Sequence, residues 1–186
     1  MAHGKDVISE LTADHREVEE MFERIQAMPP SDPERKRLVD NATIELVRHA
    51  VAEEQYLYPA VREHVEEGNP LADKEITDHG RVERILKDLE RRDVDDADFD
   101  TLVTQLVNEV SAHVRDEEHR LFPLLRAACS PEQLEKLGDR IRQAKRTAPT
   151  RPHPAAPHTP PANRLLAPGM GLVDRTRDAL SGRGRS

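Results

Sequence analysis

The chain has 186 residues, of which 34% are charged, with a formal net charge of −8 and a single cysteine, Cys129. An acidic surface repels nucleic acid and anionic membrane, no apolar run approaches the length that spans a bilayer, and one cysteine cannot form an internal disulfide. The expectation is a cytoplasmic monomer with no nucleic acid and no membrane among its partners, built as one domain plus a tail around an aliphatic core, since the chain has three Phe, two Tyr and no Trp.

From about Asp6 to Met28, Ile8, Leu11, His15, Val18, Phe22 and Ile25 recur at steps of three and four, which predicts a helix with His15 in the middle of its apolar face. Pro29-Pro30-Ser31-Asp32-Pro33 stops it and opens a second, with Asp32 as N-cap and Pro33 in the first helical position. The second helix is expected to reach about Val65, with Leu38, Ala42, Leu46, His49, Glu53, Tyr56 and Ala60 inward and a kink at Pro59. Gly68-Asn69-Pro70 ends this first unit. A third helix, from about Leu71 to Arg92, carries Glu75, His79, Val82, Leu86 and Leu89 on one face. A fourth, from about Asp98 to Ala128, turns Phe99, Leu102, Leu106, Val110, His113, Glu117, Leu121 and Leu124 inward. Ser130-Pro131-Glu132-Gln133 has the capping-box pattern and opens a shorter fifth helix through Leu134, Leu137 and Ile141. Six prolines between Thr147 and Asn163 predict an extended linker, and Leu165–Ser186 can supply only a weak amphipathic turn or two. The domains expected are thus a bundle over residues 1–146 and a Pro-rich linker and flexible tail over 147–186.

The chain contains one stretch twice. His49-Ala-Val-Ala-Glu53-Glu54-Gln-Tyr56-Leu57-Tyr58-Pro59-Ala-Val-Arg62 and His113-Val-Arg-Asp-Glu117-Glu118-His-Arg-Leu121-Phe122-Pro123-Leu-Leu-Arg126 share six of fourteen positions at an offset of 64 residues. Asp14-His15-Arg-Glu-Val18-Glu19 recurs at the same offset as Asp78-His79-Gly-Arg-Val82-Glu83, so a helical hairpin has been duplicated. Residues i and i+4 of a helix share a face, which aligns His49 with Glu53 and His113 with Glu117. An antiparallel bundle then brings His15, His49, His79 and His113 to one depth with the two glutamates. Four imidazoles and two carboxylates form a nitrogen and oxygen site suited to iron, manganese or zinc, and bound metal would offset the several kcal/mol that an unpaired buried carboxylate costs. No His-Glu-x-x-His, Cys-x-x-Cys or Glu-x-x-His pattern competes with this reading.

The pattern His15, His49-x-x-x-Glu53, His79, His113-x-x-x-Glu117 resembles the hemerythrin HHE cation-binding family, over about residues 6–128, and its wording is most similar to bacterial hemerythrin-like proteins. The resemblance implies an all-α, up-down-up-down four-helix bundle. It also implies two non-haem Fe ions, oxo- and carboxylate-bridged, with His15 and His49 on one, His79 and His113 on the other, and Glu53 and Glu117 between them. The small-molecule ligand implied is O₂, H₂O₂ or NO, used in oxygen binding, sensing or a catalase-like, peroxide-reactive defence. Carriers in the family have a second histidine four residues after the one on the third helix. Glu83 stands there instead, and as an anionic ligand it would favour ferric iron and oxidative reactivity over reversible carriage. Tyr58 precedes the proline where some members have a tyrosine ligand, whereas helix arithmetic puts Tyr56, seven residues after His49, on the metal face. Asp14 and Asp78 are expected to orient histidines from the side; Glu54 and Glu118 are as well suited to the surface. His64 and His119 fall off the face, and His153 and His158 are expected to be solvated linker residues. Two other readings remain: an iron-handling or redox-sensing bundle that signals through its tail, and a structural bundle with zinc or no metal.

Overall fold

The structure is a computed structural model that describes residues 6–181 and 183–184. Its described residues are all-α: α1 (Val7–Ala27), α2 (Pro33–Ala52), a π-helical turn (Glu53–Leu57), α3 (Tyr58–His64), α4 (Gly68–Glu90), α5 (Phe99–Asp116), a second π-helical turn (Glu117–Leu121), α6 (Phe122–Ala128), α7 (Pro131–Thr147) and α8 (Ala162–Ser181). Helices start where the sequence offers caps. Asp6 accepts from the Ser9 amide at 2.7 Å, Asp32 from the Glu34 amide at 2.9 Å, and Ser130 and Gln133 close a capping box.

Each π turn joins two α-helical pieces into one long rod, so the second and fourth predicted helices are each a helix interrupted at the repeated motif. The π register bonds i to i+5, and the Tyr58 amide reaches the Glu53 carbonyl, as the Phe122 amide reaches that of Glu117. One residue is thereby added to the turn before Pro59 and Pro123, and every side chain beyond it moves round by one position. The inward residues are therefore Tyr58 and Val61, both fully buried, rather than Tyr56 and Ala60, which are half-buried. In the second copy Phe122 and Leu125 are buried while Leu124, expected inside, is 42% exposed.

Two apolar clusters fill the bundle. One contains Leu11, Leu57, Tyr58, Leu71, Leu121, Phe122, Leu125 and Ile141; the other contains Val18, Phe22, Ile25, Leu38, Leu86, Phe99 and Leu106. His15 lies between Leu11 and Val18 along α1, so the histidines form a polar layer between two apolar ones. Each fully buried Leu, Ile or Phe contributes about 1.5–3 kcal/mol, and these layers fix the depth at which the histidines face one another.

The tail departs from expectation. Residues 148–161 do run without helix, but α8 follows as a helix of 20 residues, and α7 is longer than its apolar pattern suggested. The face of α8 that docks is Asn163, Ala167, Gly171, Asp174 and Asp178, while Leu165, Leu172, Val173 and Leu180 point outward. Apolar periodicity missed it because small and acidic residues make the contact. A Cβ on Gly171 would lie 2.3 Å from the Thr147 carbonyl oxygen, a closeness only glycine permits. Asp174 accepts from the Thr150 and Arg151 amides, both at 3.2 Å, and Arg151 pairs with Glu90 and Asp178. Among the described residues no helix is long and apolar enough to cross a membrane.

Candidate metal centre

The six residues expected to meet do meet. His15 comes from α1, His49 from α2, Glu53 from the first π turn, His79 from α4, His113 from α5 and Glu117 from the second π turn, and all are buried. Ligand-capable atoms of His15, His49, Glu53 and Glu117 lie within 4.8 Å of one another, as do those of Glu53, His79 and His113, with Glu53 common to both groups. His15 Nε2 is 3.4 Å from Glu117 Oε2 and His49 Nε2 is 3.1 Å from Glu53 Oε1. On the other side His79 Nε2 is 3.3 Å from Glu53 Oε2, His113 Nε2 is 3.5 Å from Glu117 Oε2, and the two Nε2 atoms are 3.2 Å apart.

Each of these four histidines turns Nε2 inward and meets a carboxylate on its other side. His15 Nδ1 donates to Glu118 at 2.9 Å, His49 Nδ1 to Asp14 at 3.1 Å and His79 Nδ1 to Glu54 at 3.0 Å. His113 Nδ1 lies 2.8 Å from Glu75 Oε2, a close charge contact whose angle is poor for a hydrogen bond. An Nδ1–H engaged in this way leaves the Nε2 lone pair for the centre. The inward atoms His15 Nε2, His49 Nε2, Glu53 Oε1 and Glu117 Oε2 are buried without a hydrogen-bond partner. Four converging nitrogen and oxygen atoms left in that state fit a cation.

The protons record the same crowding. Burial alone would push the His49 imidazole down, but Glu53 and Asp14 together raise it to about 10. His79 is likewise raised against its burial by Glu53 and Glu54. Burial works to raise Glu53, yet His49 and His79 hold it well below the usual carboxylate range. Tyr58 is pushed well up, first by burial and then by Glu117 and Glu53, so its phenol keeps its proton. That hydroxyl stands in the centre, 2.9 Å from His79 Nε2, 3.1 Å from Glu117 Oε1 and 3.4 Å from Glu53 Oε2.

Other candidates sort clearly. Tyr56 lies outside under the Arg164 guanidinium, 4.6 Å from its ring centroid. Glu83 belongs to neither of these ligand groups; it lines the cavity beside the histidines and accepts from the His153 amide at 2.7 Å. Glu19 pairs with Arg16 at the surface, His64 lies near Glu63, and His119 bonds the Arg115 carbonyl. Asp78 pairs with Lys74 and Arg81 rather than with a histidine. Glu75 takes the place beside His113, and a carboxylate on the apolar stripe four residues before His79 was the signal for it. Glu54 and Glu118 serve the site rather than the surface. His153 and His158 are half-buried and bonded rather than free linker residues: His153 Nε2 donates to Asp174 at 2.8 Å, and His158 Nδ1 to Glu54 at 3.1 Å. A cavity of about 80 Å³ adjoins the four histidines, lined by apolar residues of the bundle such as Val18, Leu46, Val82 and Val110 and bordered by His158, Leu166 and Met170 of the tail.

A buried four-histidine, two-glutamate cluster inside an all-α bundle is a donor set that could hold metal ions, and the chain belongs to the hemerythrin HHE cation binding domain family, whose model matches residues 6–125. It is 26% identical over 168 residues to an uncharacterised hemerythrin-like protein of Schizosaccharomyces pombe, covering 90% of this chain and 82% of that one. It is 32% identical over 134 residues to a DNA nickase of Nostoc sp., covering 71% of this chain but only 37% of the nickase. The crystal structure of a hemerythrin HHE cation binding domain-containing protein from Mycobacterium kansasii superposes with a TM-score of 0.66 at 23% identity, over 76% of this chain and 88% of that one.

Proposed function

We propose that this chain is a non-haem di-iron protein that binds O₂ or reacts with peroxide or nitric oxide. The observation that carries the reading is the set of four buried nitrogen and oxygen atoms without a hydrogen-bond partner converging from three separate helical rods. His15 and His49 would hold one ion and His79 and His113 the other, with Glu53 and Glu117 between them. Bound iron would supply a position for a small ligand and the capacity to exchange electrons with it.

The chain's own residues supply the rest. The carboxylates at each Nδ1 fix the rings so that Nε2 faces inward. Val18, Val82 and Val110 keep the approach apolar, and the adjoining cavity of about 80 Å³ has room for a small molecule beside the histidines. Tyr58 holds a proton at its hydroxyl within hydrogen-bond reach of Glu117 and His79, where a reduced oxygen species would need one. A neutral donor there suits turnover of peroxide better than simple storage of O₂.

Elemental analysis of protein expressed with iron supplied, and kept off metal-affinity resin, tests this directly. About two irons per chain, with absorption in the near ultraviolet and visible, is expected. Zinc or no stoichiometric metal would return the chain to a structural role. Two irons with slow peroxide turnover would favour redox sensing or iron handling.

A further inference from the structure

The two halves of the duplicated bundle treat their outer carboxylates differently. In one half Glu118 receives His15 Nδ1 on Oε1, and its other oxygen is held by Arg16, whose guanidinium lies 2.6 Å from Oε2. Arg16 is the residue after His15 on the same helix. In the other half Glu54 receives His79 Nδ1, but the residue after His79 is Gly80, and the space a Cβ would enter there is open to 4 Å. The bundle thus offers no equivalent of Arg16. The partner comes from outside the duplicated unit: His158 donates from Nδ1 to Glu54, lying 3.1 Å from Oε1 and 3.2 Å from Oε2.

The π turns show the same asymmetry. In the second, Glu118 is partly exposed and His119 and Arg120 are exposed, while in the first Glu53, Glu54 and Gln55 are all buried. Pro59 has no amide to give the Gln55 carbonyl four residues back. The Arg164 guanidinium donates to that carbonyl instead, and Gln55 Nε2 donates to the Asn163 carbonyl at 3.3 Å. The tail therefore meets, one for one, the polar groups that the duplication left open in this half.

We propose that the C-terminal tail is a constituent of the centre, with His158 acting as the positioning residue that holds Glu54, and through it His79, in the place Arg16 fills for Glu118 and His15. The proposal rests on the two-ion reading above. One ion position is then furnished wholly by the bundle, whereas the other, at His79 and His113, is completed by the tail.

The test loads the full-length chain with iron(II) anaerobically and follows ion loss against a competing chelator, in wild type, His158→Ala, Arg16→Ala, the double variant, and His158→Ala combined with Gly80→Arg. Loss of an outer partner typically weakens a site tenfold or more. The expected result is that His158→Ala and Arg16→Ala each shift one of two ions by about tenfold and leave the other at its wild-type midpoint. The double variant should shift both, and Gly80→Arg should restore the ion lost with His158. In the metal-free chain, His158→Ala should also raise amide exchange across residues 149–161, which does not depend on the ions. Two ions in wild type with no shift in His158→Ala, an equal shift of both, or no rescue by Gly80→Arg would overturn the proposal while leaving the two-ion reading standing. Fewer than two ions in wild type would overturn both.

Discussion

Tyr56 and Tyr58 lie two residues apart, and the π turn decides which of them faces the centre. Replacing each in turn by phenylalanine keeps the ring and removes only the hydroxyl. At Tyr58 that hydroxyl has three partners, at 2.9, 3.1 and 3.4 Å, and the side chain is fully buried. A hydrogen bond to a charged group contributes about 1.5–3 kcal/mol. The three contacts share one proton and one oxygen, and Glu53 and Glu117 keep their histidines, so one such bond is the expected loss: Tyr58→Phe should destabilise the metal-free chain by about 2 kcal/mol. Tyr56→Phe keeps its place under Arg164 and should change stability by less than about 0.5 kcal/mol. Urea unfolding of both variants at pH 7, read by helical circular dichroism, measures the difference. Equal effects, or a larger one at Tyr56, would mean that the regular 3.6-residue register continues through the motif and that the inward face has been assigned to the wrong tyrosine.

Metal binding should release protons, because His49 is held at about 10 and His79 well above its ordinary value. A weakly buffered solution with an indicator dye should show this at pH 7, and apparent affinity should climb as pH rises toward 10. In the metal-free chain the same raised His49 stabilises the fold fully below about 6.5, and that contribution should fade as pH rises through 10. Glu90 is held at about 2: burial opposes this, but Lys87 and Arg151 outweigh it. Its depressed value means its contribution is present above about 4.5 and lost as pH falls from there to 2, so exchange protection across residues 149–153 should fall in that window. Arg164→Met should leave the Gln55 carbonyl without its donor, costing about 1–2 kcal/mol locally and visible as faster exchange in α8. Gly171→Ala places a Cβ 2.3 Å from the Thr147 carbonyl oxygen; it should undock α8 and expose the site to trypsin after Arg164, while the bundle keeps its helical signal.

The bundle was legible because its core obeys a simple code. Leu11, Val18, Phe22 and Ile25 recur at helical spacing, the caps Asp32 and Ser130 sit where helices start, and the 64-residue repeat ties the two halves together. The meeting of His15, His49, Glu53, His79, His113 and Glu117 was legible for the same reason. The error arises within the first π turn at Tyr56 and beyond the second at Leu124, where one added residue breaks the arithmetic; Pro59 and Pro123 announced a disturbance but not its direction. The tail was illegible because its docking face consists of Asn163, Gly171, Asp174 and Asp178. Burial of such groups depends on partners elsewhere in the chain, and periodicity carries no information about partners.

The π turn also explains why each motif contains two consecutive glutamates. On a regular helix adjacent residues point about 100° apart, so Glu53 and Glu54 cannot both serve one point. Here they need not. Glu53 is directed into the centre against His49 and His79, whereas Glu54 approaches His79 from its outer side at Nδ1. Glu117 and Glu118 divide in the same way, with Glu118 behind His15. Each motif thus contributes one carboxylate to the interior and one to the back of a histidine borne by the opposite hairpin's equivalent helix: Glu54 meets His79 of α4, and Glu118 meets His15 of α1. The hairpins are thereby tied to each other through the rings that face the centre. In a separated hairpin His15, or His79, would lose both its inner carboxylate and its outer one, so assembly of the two halves and formation of the site should be a single cooperative event.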